Sequence, residues 1–138
     1  KTGAKYLWET KAEEFEEIMD VNVKGVFFNM KHVIPEMENH GGLIINISSG
    51  AGKMGIPTLS VYCASKFAVI GLTEAAALEV RRNVKIVALC PASVDIGMFK
   101  RLFPEEKADI EPEEVAEKVA DICVHHEKYN SGESIELY

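Results

Sequence analysis

Leu43-Ile44-Ile45-Asn46-Ile47-Ser48-Ser49, together with the later run Tyr62-Cys63-Ala64-Ser65-Lys66, decides how this chain is read. Residues 43–47 are apolar at successive positions, as expected of a strand buried on both faces inside a parallel sheet. Gly41-Gly42 breaks the chain before them, and a loop through Pro57 leads to a helix predicted over residues 59–82. Tyr62 and Lys66 are four residues apart, so on a helix they share one face, one turn from each other. An ammonium can then sit beside a phenol. The ordinary phenol pKa is about 10, so use near neutrality asks for a shift worth roughly 4 kcal/mol. A cation at about 4 Å in an effective dielectric near 20 supplies that amount. Lys66 is therefore expected to lower the Tyr62 pKa, with a Ser49 hydroxyl offering a second polar contact to a substrate oxygen. Ser48 competes for that role, but alternation at a strand end points the two serines oppositely.

Outward from this stretch, helices and strands alternate. Thr10 followed by Glu13 reads as a capping box opening a helix through Glu14 and Glu17 toward Asp20. A second helix is expected over residues 21–38, with Val23, Val26, Phe27, Met30, Val33, Ile34 and Met37 at helical spacing and Pro35 near its end. Residues 84–90 form the next apolar strand, which Pro91 stops. Residues 97–107 read as irregular. Pro112 suits a first helical position, followed by Glu113, Glu114 and an apolar face of Val115, Val119, Ile122 and Cys123. The tail Ser134-Ile135-Glu136-Leu137 fits a last strand. The alternation defines an α/β protein with parallel pairing. A strand apolar on both faces needs neighbours on both edges, and about three strands are too few to supply them.

Composition narrows the function classes. The 138 residues, 47% of them hydrophobic, suffice for one core and at most one domain. A net charge of -7 argues against nucleic acid or an anionic membrane surface as partner. No apolar run is expected to reach about 18 residues, so no membrane span is expected. Cys63, Cys90 and Cys123 are odd in number and set in apolar sequence, as in reduced proteins of a cytoplasmic compartment. The start, Lys1-Thr2-Gly3-Ala4-Lys5, has neither an initiating methionine nor the apolar stretch of a signal peptide, and reads as the middle of a longer chain.

Four motifs in order now carry a resemblance. Asn22-Val23-Lys24-Gly25, then Ile45-Asn46-Ile47-Ser48-Ser49 with Ala51-Gly52, then Tyr62-Cys63-Ala64-Ser65-Lys66, then Cys90-Pro91, resemble the successive motifs of the short-chain dehydrogenase/reductase family. The intervals 49 − 22 = 27, 62 − 49 = 13 and 66 − 62 = 4 fit that family's spacing and favour Ser49 over Ser48. The resemblance implies a Rossmann-like, doubly wound parallel sheet of which residues 1–138 are the later, catalytic part of a single domain. The strand and glycine-rich turn that cradle the cofactor pyrophosphate, and the family's Asn-Asn-Ala-Gly motif, are not among these residues. It further implies reversible hydride transfer between NAD or NADP and a small-molecule carbonyl or alcohol, for example a 3-oxoacyl thioester. Tyr62 would be the acid/base, Ser49 would bond the substrate oxygen, and Lys66 would lower the Tyr62 pKa and hold the nicotinamide ribose. Asn22 would anchor a water through its backbone carbonyl, which demands an irregularity in its helix. Pro91 and Val94 would border the nicotinamide. Ala92 stands where the family has glycine, and Ile96 where a threonine commonly bonds the carboxamide. The helix predicted over residues 59–82 is apolar almost all round, and the resemblance suggests that it and the 21–38 helix pair with symmetry mates in a homodimer or homotetramer.

Other patterns lead elsewhere. Gly50-Ala51-Gly52-Lys53-Met54-Gly55 matches a dinucleotide-binding glycine pattern, yet Ile56-Pro57-Thr58 delays the helix such a loop must open. His125 and His126 diverge by about 100° on a helix and do not converge on a metal. The acidic run Glu13, Glu14, Glu16 and Glu17 complements a helix N-terminus rather than building a metal site. Met98, Phe99, Leu102 and Phe103 read as core packing, or by the resemblance as a substrate lid. A catalytically silent binding subunit of the same fold is the alternative function. An α/β hydrolase using Ser49 lacks the required nucleophile elbow.

Overall fold

The computed structural model describes residues 4–138; Lys1, Thr2 and Gly3, on which the missing-initiator reading rests, lie outside it. Three strands, β1 (Gly42–Ile47), β2 (Val84–Pro91) and β3 (Ser134–Leu137), form a parallel sheet in the order β1-β2-β3. Gly42 to Ile47 lie opposite Val84 to Leu89, and Ala88 to Pro91 opposite Ser134 to Leu137. Helices cover both faces, as the doubly wound expectation requires. Met30 and Ile34 of α2 (Gly25–His40) and Leu72 and Ala76 of α3 (Ser60–Glu79) pack against Ile44, Val84 and Ile86. On the other face, Val115, Val119 and Ile122 of α5 (Pro112–Val124) meet Leu43, Ile45, Val87, Leu89 and Ile135. Odd and even residues of each strand thus face different helices, which is why both strands are apolar at successive positions.

The chain entering the sheet differs from the sequence reading. Helix α1 (Ala12–Met19) starts one residue later than the Thr10 cap implies. The backbone N–H of Lys11 donates to the Glu14 carboxylate at 3.0 Å, while the Thr10 hydroxyl turns back to the Tyr6 carbonyl. Nor do two separate helices meet at Asp20. A π-type turn, Asp20–Lys24, joins α1 to α2 without a break, and Asn22 is buried inside it. Gly41, at φ +80°, ends α2, and a Cβ there would stand 3.0 Å from the Asn83 carbonyl. Pro112 opens α5 as expected. Part of the segment read as irregular, Gly97–Leu102, is a short helix, α4. His125 caps α5 rather than lying within it, with its Nδ1 2.9 Å from the Asp121 carboxylate.

β2 lies in the middle, and Ile86, Val87, Ala88, Leu89 and Cys90 are wholly buried. β1 was expected in the middle and lies at an edge among the described residues. Its residues Leu43 to Ile45 are only partly covered and Ile47 is 44% exposed. Contrary to the expectation that no apolar run is long enough, helix α3 is long and apolar enough to cross a membrane by length and composition alone. Its buried Ser65, Val69 and Thr73 give that apolarity a second use, as the core helix against the sheet.

Candidate active site

The carboxyl ends of β1 and β2 point to one end of the sheet, the position where open α/β sheets hold ligands. Ser48 and Ser49 follow β1 and take different partners. Ser48 is buried, and its hydroxyl donates to the Lys66 carbonyl at 2.9 Å, tying the strand end to α3. Ser49 caps the 3-10 turn Gly50–Gly52, its Oγ accepting the Ala51 N–H at 3.1 Å. Gly52 allows the close approach: a Cβ there would lie 2.5 Å from Ser48 Oγ and 2.9 Å from the Lys66 carbonyl. That requirement explains one glycine of the dinucleotide-like pattern. The turn is followed by seven residues before α3 begins, so the pattern opens no helix.

On the first turns of α3, Tyr62 faces Ser49. Burial pushes the Tyr62 phenol above its ordinary pKa, and the Ser49 side chain opposes the rise by favouring the phenolate. Burial also holds the Lys66 ammonium below its usual value, against a smaller raising effect of Cys90. Lys66 Nζ donates to the Ile47 carbonyl at 3.1 Å and stands 5.6 Å from the centre of the Tyr62 ring. The expectation that Lys66 lowers the Tyr62 pKa is therefore corrected. The ammonium sits over the ring and spends a donor on the strand end, and loss of water dominates both groups. Among the described residues no carboxylate pairs with Lys66.

Asn22 comes to the same helix from the π-type turn, the irregularity that the resemblance demands. Its Nδ2 donates to Ser65 Oγ at 3.0 Å, and Ser65 in turn donates to the Tyr62 carbonyl at 2.7 Å. Sequence reading passed over Ser65, although its wholly buried hydroxyl one residue before Lys66 requires a partner. Pro91 ends β2 beside Leu137 and close to Gly50. Val94 bridges Ile110 in the chain that follows. Ser93 and Asp109 close that segment: the Ser93 hydroxyl donates to the carboxylate at 2.6 Å and accepts the Asp109 N–H at 2.9 Å. No motif announced this clasp, because its members lie sixteen residues apart. Between them, Ile96 precedes α4 without a capping side chain, and Phe103 packs on Ala51, Leu59 and Cys63 beside Tyr62. Asn22, Ser49, Tyr62, Lys66 and Pro91 are thus gathered at the carboxyl end of the sheet, with Val94 on the segment leaving it. Among the described residues, no three His, Cys, Asp or Glu side chains gather as metal ligands.

A parallel sheet covered on both faces, with a serine at one strand end and a Tyr-x-x-x-Lys helix against it, defines an α/β protein of the Rossmann-like class. The chain belongs to the short chain dehydrogenase family, which it matches over residues 2–107. It is 42% identical over 98 residues to an NADPH-dependent pterin aldehyde reductase of Arabidopsis thaliana, covering 70% of this chain and 40% of that relative. An uncharacterized oxidoreductase of Thermotoga maritima is 40% identical over 114 residues, 80% of this chain and 44% of the relative. The crystal structure of levodione reductase superposes with a TM-score of 0.89 at 26% identity, covering 99% of this chain and 60% of that one. The chain therefore spans about two fifths of the length of these curated relatives.

Proposed function

We propose that the chain is the catalytic part of an NAD- or NADP-dependent oxidoreductase acting on a small-molecule carbonyl or alcohol, the 3-oxoacyl thioesters included. One observation carries the reading: Ser49 and Tyr62 face each other at the strand ends, with a partly buried Lys66 beside them that has no carboxylate partner among the described residues. Such an ammonium, with donors to spare, suits neutral oxygen acceptors such as ribose hydroxyls. A bound nicotinamide would supply the hydride in reduction and accept it in oxidation. Tyr62 gives its proton to the substrate oxygen in reduction and recovers it in oxidation. Its raised pKa keeps the phenol protonated at neutral pH, the form reduction needs. Ser49 holds the same oxygen and stabilises charge developing on it. Lys66 would hold the ribose and Pro91 and Val94 would border the nicotinamide, while Asn22 and Ser65 fix the Tyr62 turn. The names of the relatives, an aldehyde reductase and a levodione reductase, support a carbonyl substrate.

A homodimer or homotetramer fits the same reading. Phe27, Phe28 and Val33 on α2 and Phe67 on α3 are exposed, and a second copy would cover them. The free cysteines and acidic charge support a reducing, cytoplasmic setting without nucleic-acid or membrane partners. A catalytically silent subunit is the second reading, favoured by the attachment of Lys66 to Ile47 rather than to the phenol. One assay separates them: the full chain with NADH or NADPH and a panel of ketones. We expect ketone-dependent oxidation of the dinucleotide, and loss of both turnover and cofactor binding in Lys66→Ala. Cofactor binding without turnover on any ketone supports the silent subunit.

A further inference from the structure

Four residues before Tyr62, Thr58 is the one non-glycine residue with positive φ among the described residues, at +64°. Left-handed backbone is disfavoured for L-residues and most of all for β-branched ones. Such strain persists only where the surroundings enforce it. Here two sets of contacts do so. On one side, the backbone N–H of Lys5 donates to the Thr58 carbonyl at 2.8 Å, joining the N-terminal segment to the entrance of α3. On the other, the turn delivers Leu59 into the buried cluster of Ala51 and Cys63 that Tyr62 and Phe103 pack against. Cys63 ties the turn down twice, its N–H donating to the Leu59 carbonyl at 2.8 Å and its Sγ accepting the Ile56 N–H at 3.3 Å. A relaxed backbone at Thr58 would redirect Leu59 and, with it, the first turn of α3.

We propose that Thr58 is a positioning residue: its left-handed backbone, clamped by the Lys5 N–H, sets the first turn of α3 so that Tyr62 meets Ser49. The inference rests on the oxidoreductase reading for its kinetic consequence but not for its structural one. What matters is the backbone conformation, not the hydroxyl. Thr58→Gly and Thr58→Asn, which tolerate positive φ, should keep kcat within about twofold, whereas Thr58→Pro, which forbids it, should lower kcat by about tenfold to a hundredfold with substrate KM nearly unchanged. Lys5→Pro, which removes the donor, should lower kcat in the same way, while Lys5→Met, which keeps it and loses only the ion pair to Glu14, should not.

Amide hydrogen exchange supplies the readout that needs no activity: Lys5 should be protected in the wild-type full chain and in Thr58→Gly, and exposed in Thr58→Pro. If the oxidoreductase reading failed, turnover would be absent in every variant while this protection pattern remained. A folded Thr58→Pro or Lys5→Pro with wild-type kcat overturns the proposal. So does a Thr58→Gly as impaired as Thr58→Pro, since the side chain would then be the cause. If Thr58→Pro does not fold, the Lys5→Pro and Lys5→Met pair decides, equal kcat in the two contradicting the clamp.

Discussion

The two sides of the sheet are finished to different degrees. On the β3 side, α5, the Tyr129 ring and the strand close over Val87, Leu89 and Ile135. Lys85 Nζ donates to the carbonyls of His126 and Tyr129, and the Tyr129 hydroxyl donates to Asp121 at 2.6 Å while accepting from Lys118 at 2.9 Å. On the β1 side, whose outer edge is unpaired among the described residues as that of β3 is, Ile47 and aromatic side chains of α2 and α3 face outward. Catalytic candidates sit toward the unfinished side. The lesson is that a local constellation, Ser49 with Tyr62 and Lys66, can be complete where the sheet carrying it is not. It is tied to its surroundings through α3, which Ser48 at the end of β1 bonds at Lys66 and Asn22 of the π-type turn bonds through Ser65 to Tyr62.

Residues 1–138 produced alone should show the contrast most severely. We expect no useful NAD(P) affinity and no stable monomer, because an apolar strand edge pairs with other chains. A cooperatively melting monomer by light scattering and calorimetry, with micromolar affinity for NADH or NADPH, would show that the β1 side is finished as it stands. A core comparison sharpens the point. Ile86→Ala, wholly buried on β2, should cost about 2–5 kcal/mol of the full chain's stability. Ile47→Ala at the β1 end should cost as much only if further structure covers it there, and well below that range if it stays exposed as here. Denaturant unfolding of both variants measures the difference.

Serine exchange follows. Ser49→Ala should lower kcat by about a hundredfold with stability kept, as loss of one charge-stabilising donor does. Ser48→Ala should act on melting temperature first, because its buried hydroxyl bonds Lys66. Reversed outcomes would exchange their roles. Stability should change least in Lys66→Met. Burial depresses the folded-state pKa of Lys66, so the fold disfavours the charged form at neutral pH and gains stability as pH rises through that lowered value. Methionine removes the penalty. The variant should be as stable as wild type or more so near pH 7, with the difference shrinking at alkaline pH, and without turnover.

Much of this was legible in the sequence, for identifiable reasons. Strand and helix positions followed from apolar patterning, and the set Asn22, Ser49, Tyr62 and Lys66 followed from the resemblance of four ordered motifs to the family. The start of α1 was misjudged because Thr10 has the right chemistry for a cap but bonds backward to Tyr6. Continuity through Asp20–Lys24 escaped because a π-type turn keeps helical periodicity while shifting its phase. The direction of the Tyr62 shift could not be read at all. It depends on burial and on where the Lys66 ammonium rests, which a four-residue spacing does not fix.

If Tyr62 carries the proton, Tyr62→Phe in the full chain removes it and leaves the rest of the site in place. Turnover of a ketone at saturating cofactor should fall by about a hundredfold to ten-thousandfold, while the dissociation constant for NADH or NADPH, titrated on the same preparation, stays within about threefold of wild type. Near wild-type turnover by Tyr62→Phe under those conditions would contradict the account.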